Sequence, residues 1–162
     1  MRLLTRVFIC LLCLGLPMAV SAQGAQIAFG NTPQNSDDPV EVTADNLAVD
    51  QNDGTAVFTG NVLIGQGEMR LSAPRVLVVY LQDQSGIERL QASGGVTLIS
   101  GDDAAEAKNA DYNIETGMIE MQGSVLLVQG PNALTADRMF VDTTAGTARM
   151  SGRVKTVLQP EN

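Results

Sequence analysis

Residues 119–127 read Ile119-Glu120-Met121-Gln122-Gly123-Ser124-Val125-Leu126-Leu127, and their alternation decides the fold. In an extended strand successive side chains point to opposite faces, so a hydropathy period of two marks a strand with one buried face. Ile119, Met121, Val125 and Leu127 share one side, and Glu120, Gln122 and Ser124 share the other. The glycine between them is expected on the apolar side. With no side chain to pack, it marks a bend, a bulge or a close backbone approach.

The pattern apolar-x-apolar-x-Gly-x-Val-x-apolar recurs along the chain. Residues 56–64 run Ala56-Val57-Phe58-Thr59-Gly60-Asn61-Val62-Leu63-Ile64. Residues 90–98 run Leu90-Gln91-Ala92-Ser93-Gly94-Gly95-Val96-Thr97-Leu98. Residues 148–156 run Ala148-Arg149-Met150-Ser151-Gly152-Arg153-Val154-Lys155-Thr156, with Thr156 the one polar exception. Before each repeat stands a turn signal: Asn52-Asp53-Gly54, Gln84-Ser85-Gly86, Glu115-Thr116-Gly117 and Thr144-Ala145-Gly146. Hairpin-length connections imply antiparallel pairing, because parallel strands need crossovers of about a dozen residues. Upstream lie Ala44-Asp45, Ala73-Pro74-Arg75, Ala110-Asp111 and Ala136-Asp137, each leading into a short apolar run. Helical periodicity is absent after the first segment; only the alanine-rich stretch 102–108 suits a helical turn or a loop.

These readings give an all-β chain whose short antiparallel strands form one long curled sheet or a two-sheet roll. Four glycine bends at one level would curl it. The first strand carries Val40, Val42 and Ala44, and the last carries Val154, Thr156 and Leu158. Both are open edges, and unpaired edges invite pairing with another chain.

The flanks set the context. Arg2 and Arg6 precede the apolar run Val7–Leu16, Pro17 breaks it, and Val20-Ser21-Ala22 offers a cleavage site. This is the layout of a secretory signal peptide over 1–22. A polar leader over 23–39, a β domain over 40–158 and a short tail over 159–162 complete the expected plan. Cys10 and Cys13 fall inside the apolar run, so a mature chain has no cysteine, and the chain has no histidine at all. A Ser/His/Asp or Cys/His nucleophile system is thereby excluded, and most zinc sites with it. The net charge of −8 opposes nucleic-acid binding, which needs a basic stripe.

Acidic side chains are plentiful. Asp45, Asp50, Asp111, Asp137 and Asp142 lack the glycine-rich nonapeptide spacing of calcium-binding rolls and suit turns and strand ends. Glu68 with Glu88, or Asp102-Asp103 with Glu106, could be drawn as a glycosidase pair, but nothing fixes their separation. No metal, cofactor or catalytic residue is expected, and the chain is read as not an enzyme. Arg149, Arg153 and Lys155 serve either to meet anionic phosphate groups or to keep an outer face soluble.

Val42-Thr43-Ala44-Asp45, Thr59-Gly60-Asn61-Val62, Gly65-Gln66-Gly67 and Leu71-Ser72-Ala73 resemble the OstA-like domain family over roughly residues 40–158. The resemblance implies a twisted antiparallel β-jellyroll, open at both ends, in the periplasm. It implies an apolar groove that holds the acyl chains of lipopolysaccharide (the lipid A portion) during outer-membrane assembly. It also implies a bridge made by head-to-tail self-association and by joining OstA-like domains of the inner-membrane transport subunit and the outer-membrane translocon. The groove would then be lined by Phe58, Val62, Ile64, Leu90, Val96, Leu98, Ile119, Met121, Val125, Leu127, Met150 and Val154. Two other readings of the same residues stay open: a closed hydrophobic core, and a structural β-repeat polymer or adhesin without ligand.

Overall fold

The computed structural model describes residues 26–30, 33, 35 and 37–159. The signal segment, Pro160 and part of the leader lie outside the described residues. Eleven strands follow one another: β1 (Gln26–Ala28), β2 (Glu41–Thr43), β3 (Asn46–Asp50), β4 (Thr55–Gln66), β5 (Met69–Tyr80), β6 (Ile87–Ser100), β7 (Asp103–Asn113), β8 (Met118–Gln129), β9 (Asn132–Asp142), β10 (Thr147–Ser151) and β11 (Lys155–Val157). From β3 to β10 each strand pairs with the next in sequence, all antiparallel, and β2 pairs with β4 and β11 with β9 in the same sense. β2 and β3 lie on two stretches of β4, and β10 and β11 on two stretches of β9, so each pair is one long strand interrupted midway. The sheet does not close on itself.

Every long strand is broken at the same level. The register shifts between Thr59 and Val62, Ser72 and Arg75, Ser93 and Val96, Glu106 and Asn109, and Gln122 and Val125. At the β6 break Gly94 and Gly95 have φ of +92° and +102°. Only glycine takes such angles without strain. A Cβ on Gly94 would stand 2.7 Å from Cγ of Pro74 on the neighbouring strand. The repeated glycine is therefore a bulge, but Gly94 and Gly152 are exposed, not packed on the apolar face as the alternation suggested. An extra residue in the bulge lifts the glycine out of the pleat.

The breaks divide the sheet into two halves that fold against each other. Half-sheet I comprises 41–43, 62–66, 69–72, 96–100, 103–106, 125–129, 132–135 and 155–157; half-sheet II comprises 46–50, 55–59, 75–80, 87–93, 109–113, 118–122, 138–142, 147–151 and β1. Tyr112 in half-sheet II donates its phenol hydrogen to Oε1 of Gln66 in half-sheet I at 2.5 Å. Between the halves lies one continuous core of buried apolar residues.

Two kinds of turn alternate along the roll. At the half-sheet II end Asp50, Asn113 and Asp142 each accept a backbone N–H two or three residues on, from Asn52, Thr116 and Ala145. At the other end the hairpins are two residues long: Gly67-Glu68, Gly101-Asp102 and Gly130-Pro131. Glycine in first place with positive φ, as at Gly67, Gly101 and Gly130, suits such tight loops.

Two expectations are corrected. Residues 103–108 are strand, not a helical turn or loop; Ala105 and Ala107 point inward between Leu98 and Leu127 and beside Val96, so pairing on both sides overrides alanine's helical preference. The segment 23–39 is not merely a flexible leader. Gln26–Ala28 pairs with Thr147–Arg149 of β10, and Phe29 is buried at 3% exposure.

Candidate functional site

The interior is built from four apolar rows crossing the strands. In half-sheet I, Ile64, Leu71, Leu98, Ala105, Leu127 and Leu134 stand side by side. Beside the breaks, Val62 faces Ala73, Val96 faces Ala107, and Val125 faces Ala136. In half-sheet II the rows are Phe58, Val76, Ala92, Ala110, Met121, Met139, Met150 and then Ala56, Val78, Leu90, Tyr112, Ile119, Val141, Ala148. Leu98 and Leu127 face Ala105, and Phe58 faces Val76, while Met121 faces Met139 and Ile119 faces Tyr112, so large and small residues share the rows.

Apolar side chains reach solvent at both ends. At the first edge Leu47 and Val49 of β3 extend the interior rows beside Phe58 and Ala56, yet are 56% and 61% exposed. Nothing in half-sheet II covers them. At the last edge Val154 is 51% exposed. Here the ends differ, because β1 covers β10 and sets Ile27 opposite Ala148, whereas β11 has no further neighbour among the described residues.

Of the twelve residues expected in the lining, ten are buried: Val62, Ile64, Leu90, Val96, Leu98, Ile119, Met121, Val125, Leu127 and Met150. Phe58 is half-buried against the same core, near the first mouth. Val154 differs: it follows a positive-φ pair, Gly152-Arg153, as buried Val62 and Val125 follow Gly60-Asn61 and Gly123-Ser124, but it stands at the open last edge, where no further strand covers it among the described residues. Val40, Val42 and Ala44 pack partly against the core at the first edge, and Thr156 and Leu158 are exposed at the last. The second half of the lining was missed from sequence. Met69, Leu71, Val76, Val78, Tyr112, Met139 and Val141 come from the strands without the glycine motif, where alternation alone marks them.

The acidic residues have structural partners. The Asp45 N–H donates to the Gly60 carbonyl at 2.9 Å and the Asp137 N–H to that of Gly152 at 2.8 Å, across the break. Asn61 and Arg153, which follow those glycines, each donate to the aspartate carboxylate. Hydrogen bonding from Arg153 holds the Asp137 carboxyl below its usual range, and the same contact raises the guanidinium. In the third repeat Lys108, not Asp111, faces the glycine: a Cβ on Gly123 would meet Cβ of Lys108 at 2.9 Å. Asp111 instead lies on the outer face, with Gln91 at 3.0 Å and Arg89 at 3.6 Å. Asp103 accepts hydrogen bonds from the Gly30 N–H and from Gln129, both at 2.9 Å. Among the described residues no group of three or more His, Cys, Asp or Glu is placed to hold a metal ion.

Polar groups inside are few. Burial pushes the Tyr112 phenol above its ordinary range, an effect that a hydrogen bond with Thr143 opposes. Gln66 also donates from Nε2 to the Asp38 carbonyl at 3.0 Å. On the outer face of half-sheet II Arg149 stacks on Phe140 at 5.1 Å, and Arg138 lies 3.9 Å from Glu120. These arrangements suit an apolar ligand within and water without.

Comparisons with known proteins agree with this geometry. A profile of the family described as "LptA/(LptD N-terminal domain) LPS transport protein" matches residues 41–147. An uncharacterized protein of Rhizobium meliloti (strain 1021) is 27% identical over 155 residues, covering 89% of this chain and 83% of the relative. The lipopolysaccharide export system protein LptA of Escherichia coli (strain K12) is 29% identical over 83 residues, 51% of this chain and 45% of that relative. The solved structure of LptH, the LptA homologous periplasmic component of the lipopolysaccharide transport device of Pseudomonas aeruginosa, superposes with a TM-score of 0.70 at 19% identity. The superposition covers 79% of this chain and 100% of LptH, and it shows a shared open jellyroll-like fold.

Proposed function

Since the chain belongs to the LptA/(LptD N-terminal domain) family of LPS transport proteins, we propose that it holds lipopolysaccharide by its acyl chains between the two half-sheets. It hands the lipid on within the periplasm toward the outer membrane, and it catalyses no reaction. The observation that carries this reading is the apolar interior that runs from Leu47 and Val49 at one mouth to Val154 at the other. Apolar rows run out into solvent at the first edge through Leu47 and Val49, and at the last edge the exposed Val154 stands beside the interior. Met121, Met139 and Met150 stand together in one row, and deformable thioethers adapt to chains of varied shape.

The test uses photo-crosslinking side chains placed one at a time. Phe58, inward and near the first mouth, is expected to capture lipopolysaccharide in cells, and Gln122, on the outer face, is expected to capture none. Equal capture from both positions defeats the groove. Absence of capture at every inward position would leave the ligand-free scaffold as the better reading.

Assembly is part of the same proposal. β2 and β3 present one open edge and β11 the other, and a contact between them is heterologous, so it extends without closing. Copies would join head to tail, and related domains at either membrane would continue the row. The sedimenting mass is expected to climb steadily with protein concentration. Shortening the chain after Ser151 removes β11 and is expected to hold the mass at that of the monomer. A mass fixed at two copies over the whole range counts against the open-ended bridge.

A further inference from the structure

Resting on the reading of the interior as a lipid groove, we propose that residues 26–30 are a displaceable strap across the seam. Phe29 occupies the end of the interior that an acyl chain fills once the strap swings away.

The seam is the line opposite the breaks, where the free ends of the two half-sheets meet. Residues 28–30 cross it. The Phe29 N–H donates to the Gly146 carbonyl at 2.9 Å, on the turn that ends half-sheet II. Ala28 accepts from Nε2 of Gln129 at 2.8 Å, and the Gly30 N–H donates to Oδ2 of Asp103 at 2.9 Å, both at the ends of half-sheet I strands. Five residues thus stitch the two halves together. Gly30 seats closely: its φ is +79°, and a Cβ there would lie 2.3 Å from Oγ of Ser100.

The strap is also the element most easily lost. β1 is three residues long and has one neighbour in the sheet, with the partners Gln26 and Arg149, Ile27 and Ala148, Ala28 and Thr147. The central strands are 11 to 14 residues long and paired on both sides. Elements with few partners open first and without global unfolding. Gln26 and Ala28 are exposed, so Phe29 is the one deeply buried side chain of the strap.

A ligand needs such an opening. Leu98, Ile119, Met121, Leu127 and Met139 are fully buried, so an acyl chain enters only by displacing what already fills the space. Exchanging a phenyl group for a hydrocarbon chain keeps apolar surface out of water, so the exchange is nearly balanced. Phe29 is the plug that holds the place when the groove is empty.

The experiment locks the strap in the full chain, with Cys10 and Cys13 replaced by serine. Gln26→Cys with Arg149→Cys places two thiols on directly opposed, solvent-facing positions of β1 and β10. Uptake of fluorescein-labelled rough lipopolysaccharide is followed in stopped flow for the oxidised and the reduced forms of the same protein. The oxidised form is expected to load at least tenfold more slowly than the reduced form. Phe29→Ala, without cysteines, is expected to load several-fold faster than the parent. Equal rates for oxidised and reduced protein overturn the strap while leaving the carrier reading intact, because lipid still enters. Phe29→Ala loading no faster than the parent overturns the plug. Failure of parent, reduced protein and Phe29→Ala alike to take up lipid overturns the carrier reading, and the strap falls with it.

Discussion

Leu127→Asp is expected to abolish the cooperative thermal transition of the protein. Leu127 is fully buried and flanked in its row by Ala105 and Leu134, neither of which offers a carboxylate a partner. Burying an unpaired polar or charged group costs several kcal/mol, and a domain of this size holds about 5–15 kcal/mol in total. Leu127→Ala, which leaves only a cavity, is expected to cost about 2–5 kcal/mol. The control is the adjacent residue. Val128 points to the other face and is partly exposed, so Val128→Asp is expected to stay within roughly 0.5 kcal/mol of the parent. Calorimetry of the three variants reads the alternation directly. Similar losses at 127 and 128 would mean that the strand does not have one wet face.

Gly94→Val is the second large effect. At φ of +92° a β-branched residue is strained, and its Cβ would stand 2.7 Å from a rigid pyrrolidine carbon of Pro74. Strain of about 1–3 kcal/mol and a clash of about 1–3 kcal/mol act together, so a loss of roughly 2–6 kcal/mol is expected. Gly130 supplies the contrast. Its φ is +54° and no atom lies within 4 Å of a Cβ built there, so Gly130→Asn is expected to cost under about 1 kcal/mol. Urea unfolding midpoints separate the two cases, and comparable midpoints would show that the break in β6 is not held by the proline.

The sequence displayed the glycine-bearing strands well because period-two alternation and a bulge glycine are local signals. Ile119, Met121, Val125 and Leu127 could be assigned to one face before any pairing was known. The intervening strands were harder to read. In β7 alanine is small enough to pack between Leu98 and Leu127, but a single-chain reading sees only a good helix former. The recurrence of Ala110-Asp111 beside Ala44-Asp45 and Ala136-Asp137 does not extend to the glycine contact, because pairing puts Lys108, not Asp111, against Gly123. Val154 repeats the local pattern of Val62 and Val125, bulge included, yet it is half exposed because it stands at the open edge, and a local pattern does not tell an edge strand from a central one. β1 gave no sign at all. Its three residues gain strand geometry from β10, more than a hundred positions away, and no local pattern encodes a distant partner.

That distance has a kinetic consequence. From β3 to β10 every strand meets its partner through a short turn, and β2 and β11 reach theirs across one intervening strand, so pairing can spread along the roll with little chain to close at each step. β1 is different. The hydrogen bond from Gln26 to Thr147 spans 121 residues, and such a loop is closed at little entropic cost only after the intervening strands have shortened the path. The N-terminal strand is therefore expected to dock last on a sheet already formed, with the space of Phe29 vacant until it does.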